Sequence, residues 1–98
     1  QFVQTLNAVP EGDGTLLDNC LVMAHSETSE ANTHSVTGLP FMTAGKAGGR
    51  LRTGLHVSGV GESSSRVGLT MQQAMGINAG QWGTDQNATD RAITEILA

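Results

Sequence analysis

The apolar residues of this chain gather into two short runs, Cys20, Leu21, Val22, Met23 and Ala24 in the first and Phe41, Met42, Thr43 and Ala44 in the second, with a polar break between them. Apolar runs of four to eight residues bounded by turn and loop residues have the length of strands, not of helices. The first is apolar almost throughout, as expected of an inner strand buried on both faces of a sheet with helices packed on it. Pro40 cannot donate a ladder hydrogen bond, so the second strand begins at or after it. The fold class expected is therefore α/β, a small mostly parallel sheet with flanking helices.

Little material is available to cover such a sheet. Ninety-eight residues make one small domain, and a chain of this size hides only about two-thirds of its unfolded surface. With 3% aromatic residues and no Tyr, packing falls to Phe2, Phe41, Trp82, the four Met and the aliphatics. A net charge of -4 with only five Lys and Arg cannot supply a basic stripe, so no nucleic-acid partner is expected. No 18-residue apolar run exists, so no membrane span is expected, and no signal peptide is visible. Cys20, inside an apolar run, reads as a buried inert thiol. Gln1 stands in place of an initiator Met and opens directly into a helical pattern, so the chain reads as the tail of something longer.

Phe2, Val3, Leu6 and Val9 fall on one helical face, and Pro10 with the following Gly-rich turn ends that helix. Thr15 and Asp18 have the spacing of a capping box. Residues 45–50 form a Gly-rich connector that lacks the spacing of a phosphate-binding loop, and Gly59 and Gly61 precede Glu62 without the third Gly of a dinucleotide fingerprint. Residues 51–60 alternate loosely, suggesting two half-exposed strands bent at Gly54. Ser63 or Ser64 caps a helix with Val67, Met71, Ala74 and Met75 on its core face, ended by Gly76. Trp82 is expected to cover the thin core. Asn87 and Asp90 form a second capping box before a last helix carrying Ala92, Ile93, Ile96 and Leu97.

Chemistry concentrates in the polar break. Glu27 and His34, with His25 and His56 as outer candidates, make a carboxylate and imidazole set suited to Zn, Mn or Fe, or to Ca through oxygen alone. Ser26 follows His25 directly and lies in no Gly-x-Ser-x-Gly elbow, so it is not read as a nucleophile.

Residues 17–27 resemble the segment of sulfatases and alkaline phosphatase-like proteins in which a Leu-Asp-Asn start leads into a hydrophobic strand and then a serine and an acidic residue. His34 and Ser35, Leu39 to Phe41, Ala44 and Gly45, Gly48 and Gly49, Thr53 and Gly54, the helix ending Met75, Gly76, Ile77, and the run from Trp82 to Asp85 are similar to the C-terminal third of a domain-of-unknown-function family of bacterial exported proteins in that superfamily. The resemblance implies that residues 1–98 are a single partial domain, the C-terminal portion of an alkaline phosphatase-like three-layer fold. It implies Glu27 and His34 as metal-facing groups, beside which His25 stays a candidate ligand, phosphate or sulfate esters as the substrate class, and a periplasmic or secreted location.

The sequence departs from the active enzymes in two ways. Glu27 stands where Asp is usual, and His25 precedes the pair where a His commonly follows. The nucleophile and remaining ligands of such enzymes belong to a part of the fold before Gln1, so no catalysis is expected of this chain alone, and whether the parent is an active enzyme stays open. The alternative is a non-enzymatic structural or interaction module. Both readings predict self-association, or docking to the N-terminal part, through an exposed sheet edge.

Overall fold

The computed structural model describes residues 1–26, 39–59 and 62–98. Helix α1, Phe2–Ala8, forms where the apolar spacing predicts it, yet none of its residues is buried and Phe2 is 64% exposed. Val9 leaves the helix in an extended conformation, and a two-residue hairpin, β1 Pro10–Glu11 with β2 Gly14–Thr15, turns the chain through Gly12 at φ +58°. A 3₁₀ turn, Leu16–Asn19, follows, and the Thr15 N–H donates to Asp18 Oδ2 at 2.9 Å. That is the carboxylate half of the expected capping box.

Strands β3, Val22–His25, and β4, Phe41–Ala44, lie where the two apolar runs place them. Their direction corrects the expected fold class. They pair antiparallel, with Val22 opposite Ala44, Met23 opposite Thr43, Ala24 opposite Met42 and His25 opposite Phe41, and each of the two sheets among the described residues has two antiparallel strands. A mostly parallel sheet with flanking helices, and with it a three-layer arrangement, is not what this chain forms. The cause is that apolarity and length mark a strand but carry no information on its direction, which the connection sets. Nor is β3 buried on both faces: Val22 is half-buried and Met23, Ala24 and His25 are exposed.

The core lies instead beyond the near end of this hairpin. Ala47, Leu51 and Ala74 form it, with Leu21, Met71, Ile96 and Leu97 packed around them. Helix α2, Ser65–Ala74, buries Leu69, Thr70 and Ala74, while Met75, expected on the core face, is 54% exposed. Gly76 takes φ +83° after the helix end, the left-handed conformation that a glycine adopts without a Cβ penalty. Trp82 is also half-exposed and stands against Gly68 of α2 rather than over the core.

No last α-helix forms among the described residues. Residues 88–98 are irregular apart from bridge positions at Thr89 and Leu97 and one 3₁₀ turn at Thr94–Ile96. Their backbone is satisfied across the chain: Leu51 bridges Leu97, the Arg52 N–H donates to the Ile96 carbonyl at 2.7 Å, and the Ala98 N–H donates to the Arg50 carbonyl at 2.9 Å. Non-local partners thus replace the i to i-4 ladder that the apolar stripe suggested. Among the described residues of the 51–60 stretch, 51–59, only Leu51 takes part in a β-bridge, rather than two strands forming.

Candidate functional site

Of the residues expected to hold a metal, the structure places His25. Glu27 and His34 lie outside the described residues. His25 ends β3 at the mouth of the hairpin, exposed, directly across the ladder from Phe41. Its ring stacks on the Phe41 ring with centroids 5.6 Å apart and an interplanar angle of 27°. The pleat explains this pairing, because residues directly opposite in an antiparallel ladder project from the same face. Opposite pairing also sorts the other side chains: Val22, Ala24, Met42 and Ala44 share one face, and Met23, His25, Phe41 and Thr43 share the other. His56, the outer candidate, is exposed in the irregular 52–59 stretch.

Among the described residues, no three His, Cys, Asp or Glu side chains are close enough to share a metal ion. A catalytic divalent site wants three protein ligands and an open position. His25 by itself does not meet that demand. Cys20, expected to be buried, is half-buried and free.

One charged cluster was not singled out in the sequence. Glu62 Oε1 lies 3.6 Å from Arg66 Nη1 and 3.3 Å from Arg91 Nη2, at the rim of an open concavity of about 460 Å³ that Gln81 and Thr89 also line. Arg66 is further tied down, donating from Nε to the Arg91 carbonyl at 3.0 Å and from Nη2 to the Ala92 carbonyl at 3.1 Å. Both guanidinium groups already face a carboxylate, so the cluster fastens the C-terminal segment to α2. The spacing of Glu62 and Arg66, four apart at a helix start, was legible; the approach of Arg91 depends on the tertiary fold.

Asp18 is the other charged group with a defined environment. Its carboxyl is held below the ordinary range, first by the Thr15 N–H and then by Lys46, whose Nζ is 3.6 Å from Oδ1, and these outweigh the opposing effect of partial desolvation. This is a local fastening of the 3₁₀ turn, not a catalytic pair.

The hairpin, by contrast, is defined by what it leaves open. Met42 is 69% exposed and Met23 41%, on opposite faces, and each strand pairs only with the other among the described residues. Among the described residues, no helix is long and apolar enough to cross a membrane. Comparison of the chain with protein families, with curated proteins and with solved structures finds no match.

Proposed function

We propose that this chain is a non-enzymatic association module whose working surface is the β3–β4 hairpin. One observation carries the reading: an apolar ribbon with exposed Met side chains on both faces and, among the described residues, no further strand paired to either edge. A lone two-stranded ribbon is marginal in water, and protein that adds a strand or covers a face stabilises it. The net charge of -4 supports a protein partner over a nucleic acid. Amide exchange across a concentration series tests the reading. The amides of β3 and β4 are expected to exchange fast in dilute protein and to slow on association; a dilute monomer with slowly exchanging hairpin amides would sink it.

A second reading is favoured by the exposed imidazole of His25 at the hairpin mouth, two positions before Glu27. In it the chain is the C-terminal segment of a metal-dependent hydrolase acting on phosphate or sulfate esters, not catalytic alone, and exported to the periplasm or beyond the cell. The resemblance of residues 17–27 supports it through side chains, without the parallel sheet. The described residues alone do not make the site, so Glu27 and His34 would have to join His25 on one Zn, Mn or Ca ion. Calorimetric titration of chelator-stripped protein, repeated on Glu27→Ala, His34→Ala and His25→Ala, checks this. Tight binding lost in the variants is expected; no binding to a cooperatively folded chain refutes it.

A further inference from the structure

We infer that Asn87 is the acceptor of an N-linked oligosaccharide, transferred by an oligosaccharyltransferase that also grips the carboxylate of Asp85. The inference rests on neither function proposed above. Of the five Asn in the sequence, Asn87 alone is followed two positions on by a hydroxyl residue with no Pro between, in Asn87, Ala88 and Thr89, which is the spacing of a glycan acceptor. Asp85 stands two positions before it. Side chains of an extended segment repeat with a period of two, so Asp85, Asn87 and Thr89 project from one side when the segment is drawn out along a transferase groove. Carboxylate, acceptor amide and hydroxyl are then offered together.

The fold gives the first two of these side chains nothing to do. A helix beginning after Asn87 would account for it as a cap, but no such helix forms among the described residues, and Ala88 is extended at φ -69° and ψ 140°. Asn87 is exposed at the end of the 3₁₀ turn Asp85–Asn87, and among the described residues no hydrogen bond engages its carboxamide. Asp85 is exposed as well, with no ion pair among the described residues. Thr89 is half-buried, and its hydroxyl accepts from the Arg91 N–H at 3.1 Å, which leaves its own proton to donate.

The segment can be drawn out without disturbing the core. Residues 83–88 are all exposed and form a loop closed by two hydrogen bonds between Trp82 and Thr89, of 2.9 and 2.8 Å. Within it the Asn87 N–H donates to the Thr84 carbonyl at 2.9 Å and the Ala88 N–H to the Asp85 carbonyl at 3.1 Å. Opening such a loop is a local event, and it releases Asp85 from φ +52°, a left-handed conformation unfavourable to a residue with a Cβ. In the transfer, Asn87 Nδ2 bonds to the anomeric carbon of an oligosaccharide carried on a polyprenyl pyrophosphate. The bond from that carbon to the pyrophosphate oxygen breaks, the oxygen leaves with the electron pair, and one Nδ2 proton passes to a base and on to solvent. Transfer belongs to exported chains, and an exported location is what the resemblance of this chain implies.

The test incubates the folded, full chain with a purified bacterial oligosaccharyltransferase that requires an acidic residue before its acceptor, and with a polyprenyl-pyrophosphate-linked oligosaccharide. Intact-mass spectrometry is the readout, and a known acceptor peptide controls for an active transferase. A gain of one oligosaccharide, mapped to the peptide that contains Asn87, is expected. It is expected to vanish in Asn87→Gln and Thr89→Val and to persist in Thr89→Ser, which keeps the hydroxyl. Asp85→Asn suits the same left-handed backbone and removes the charge, so transfer is expected to slow by about 10-fold or more, the loss of one charge-assisted contact, with the circular dichroism unchanged. No transfer to the folded chain overturns the site, as does a gain that survives Asn87→Gln. Equal rates for the parent and Asp85→Asn overturn the part given to the carboxylate.

Discussion

Thr70 and Ile93 are joined by a hydrogen bond of 2.8 Å, the Ile93 N–H donating to a threonine hydroxyl that has no solvent exposure. The same hydroxyl donates to the Arg66 carbonyl one turn earlier at 2.6 Å. A residue type that is usually indifferent inside a helix therefore fastens the C-terminal segment to α2.

Replacing Thr70 by Val keeps the shape and removes both bonds. The Ile93 N–H is left without its acceptor in a part-buried place, at a cost of about 1–3 kcal/mol. For a domain of this size the thermal midpoint is expected to fall by roughly 5–15 °C. Calorimetry on Thr70→Val checks it, and an unchanged midpoint would remove the fastening role.

Gly45 joins β4 to the core with φ +99°, and a Cβ there would run into the Cys20 carbonyl oxygen and stand 2.9 Å from the Leu17 carbonyl oxygen. Both obstacles are backbone. Gly45→Ala is expected to cost about 2 kcal/mol or more, since a left-handed conformation alone costs an L-residue about 1–2 kcal/mol. Urea titration reads this as a lower midpoint with unchanged slope.

The Asp18 carboxyl supplies a pH dependence whose sign follows from its depressed folded-state value. Its contribution is complete above the unfolded pKa of about 3.9 and is lost as the pH falls through the lower, folded value. Asp18→Asn is expected to flatten the fall in urea midpoint below about pH 4. A variant that loses stability with acid as steeply as the parent would exclude Asp18 as a contributor.

Gly68 lies beneath the indole of Trp82, and a Cβ there would press on the Nε1 and Cδ1 edge of the ring. Alanine favours a helix over glycine by about 1 kcal/mol, yet Gly68→Ala is expected to displace the indole and shift its fluorescence to the red. An unchanged spectrum would mean that the ring accommodates the methyl group without leaving its place.

How far the sequence was legible follows from what each signal encodes. Pro40 marked the start of β4 and the apolar run marked β3, because a missing N–H and a run of apolar side chains are local properties. The antiparallel ladder was not legible, since Phe41 looks the same whichever way its partner strand runs. The C-terminal stripe misled for a related reason: Ala92, Ile93, Ile96 and Leu97 have helical spacing, but Thr70, Leu51 and Arg50 offer their neighbourhood backbone partners that only the tertiary fold brings near. Of the expected metal ligands, the register shows where His25 stands and which ring it meets. The Glu62, Arg66 and Arg91 cluster joins positions remote in sequence, and charge spacing reveals only its first two members.

The bridge between Leu51 and Leu97 ties together positions 46 apart, whereas His25 and Phe41 are separated by 16. Closing the longer loop costs roughly 1 kcal/mol more in chain entropy, and contacts remote in sequence form late. The hairpin is therefore the cheaper of the two contacts to close, yet, marginal in water by itself, it holds only once the body behind it forms or protein covers it. Refolding yield is accordingly expected to fall as protein concentration rises, and a dilution series of refolding yield checks it.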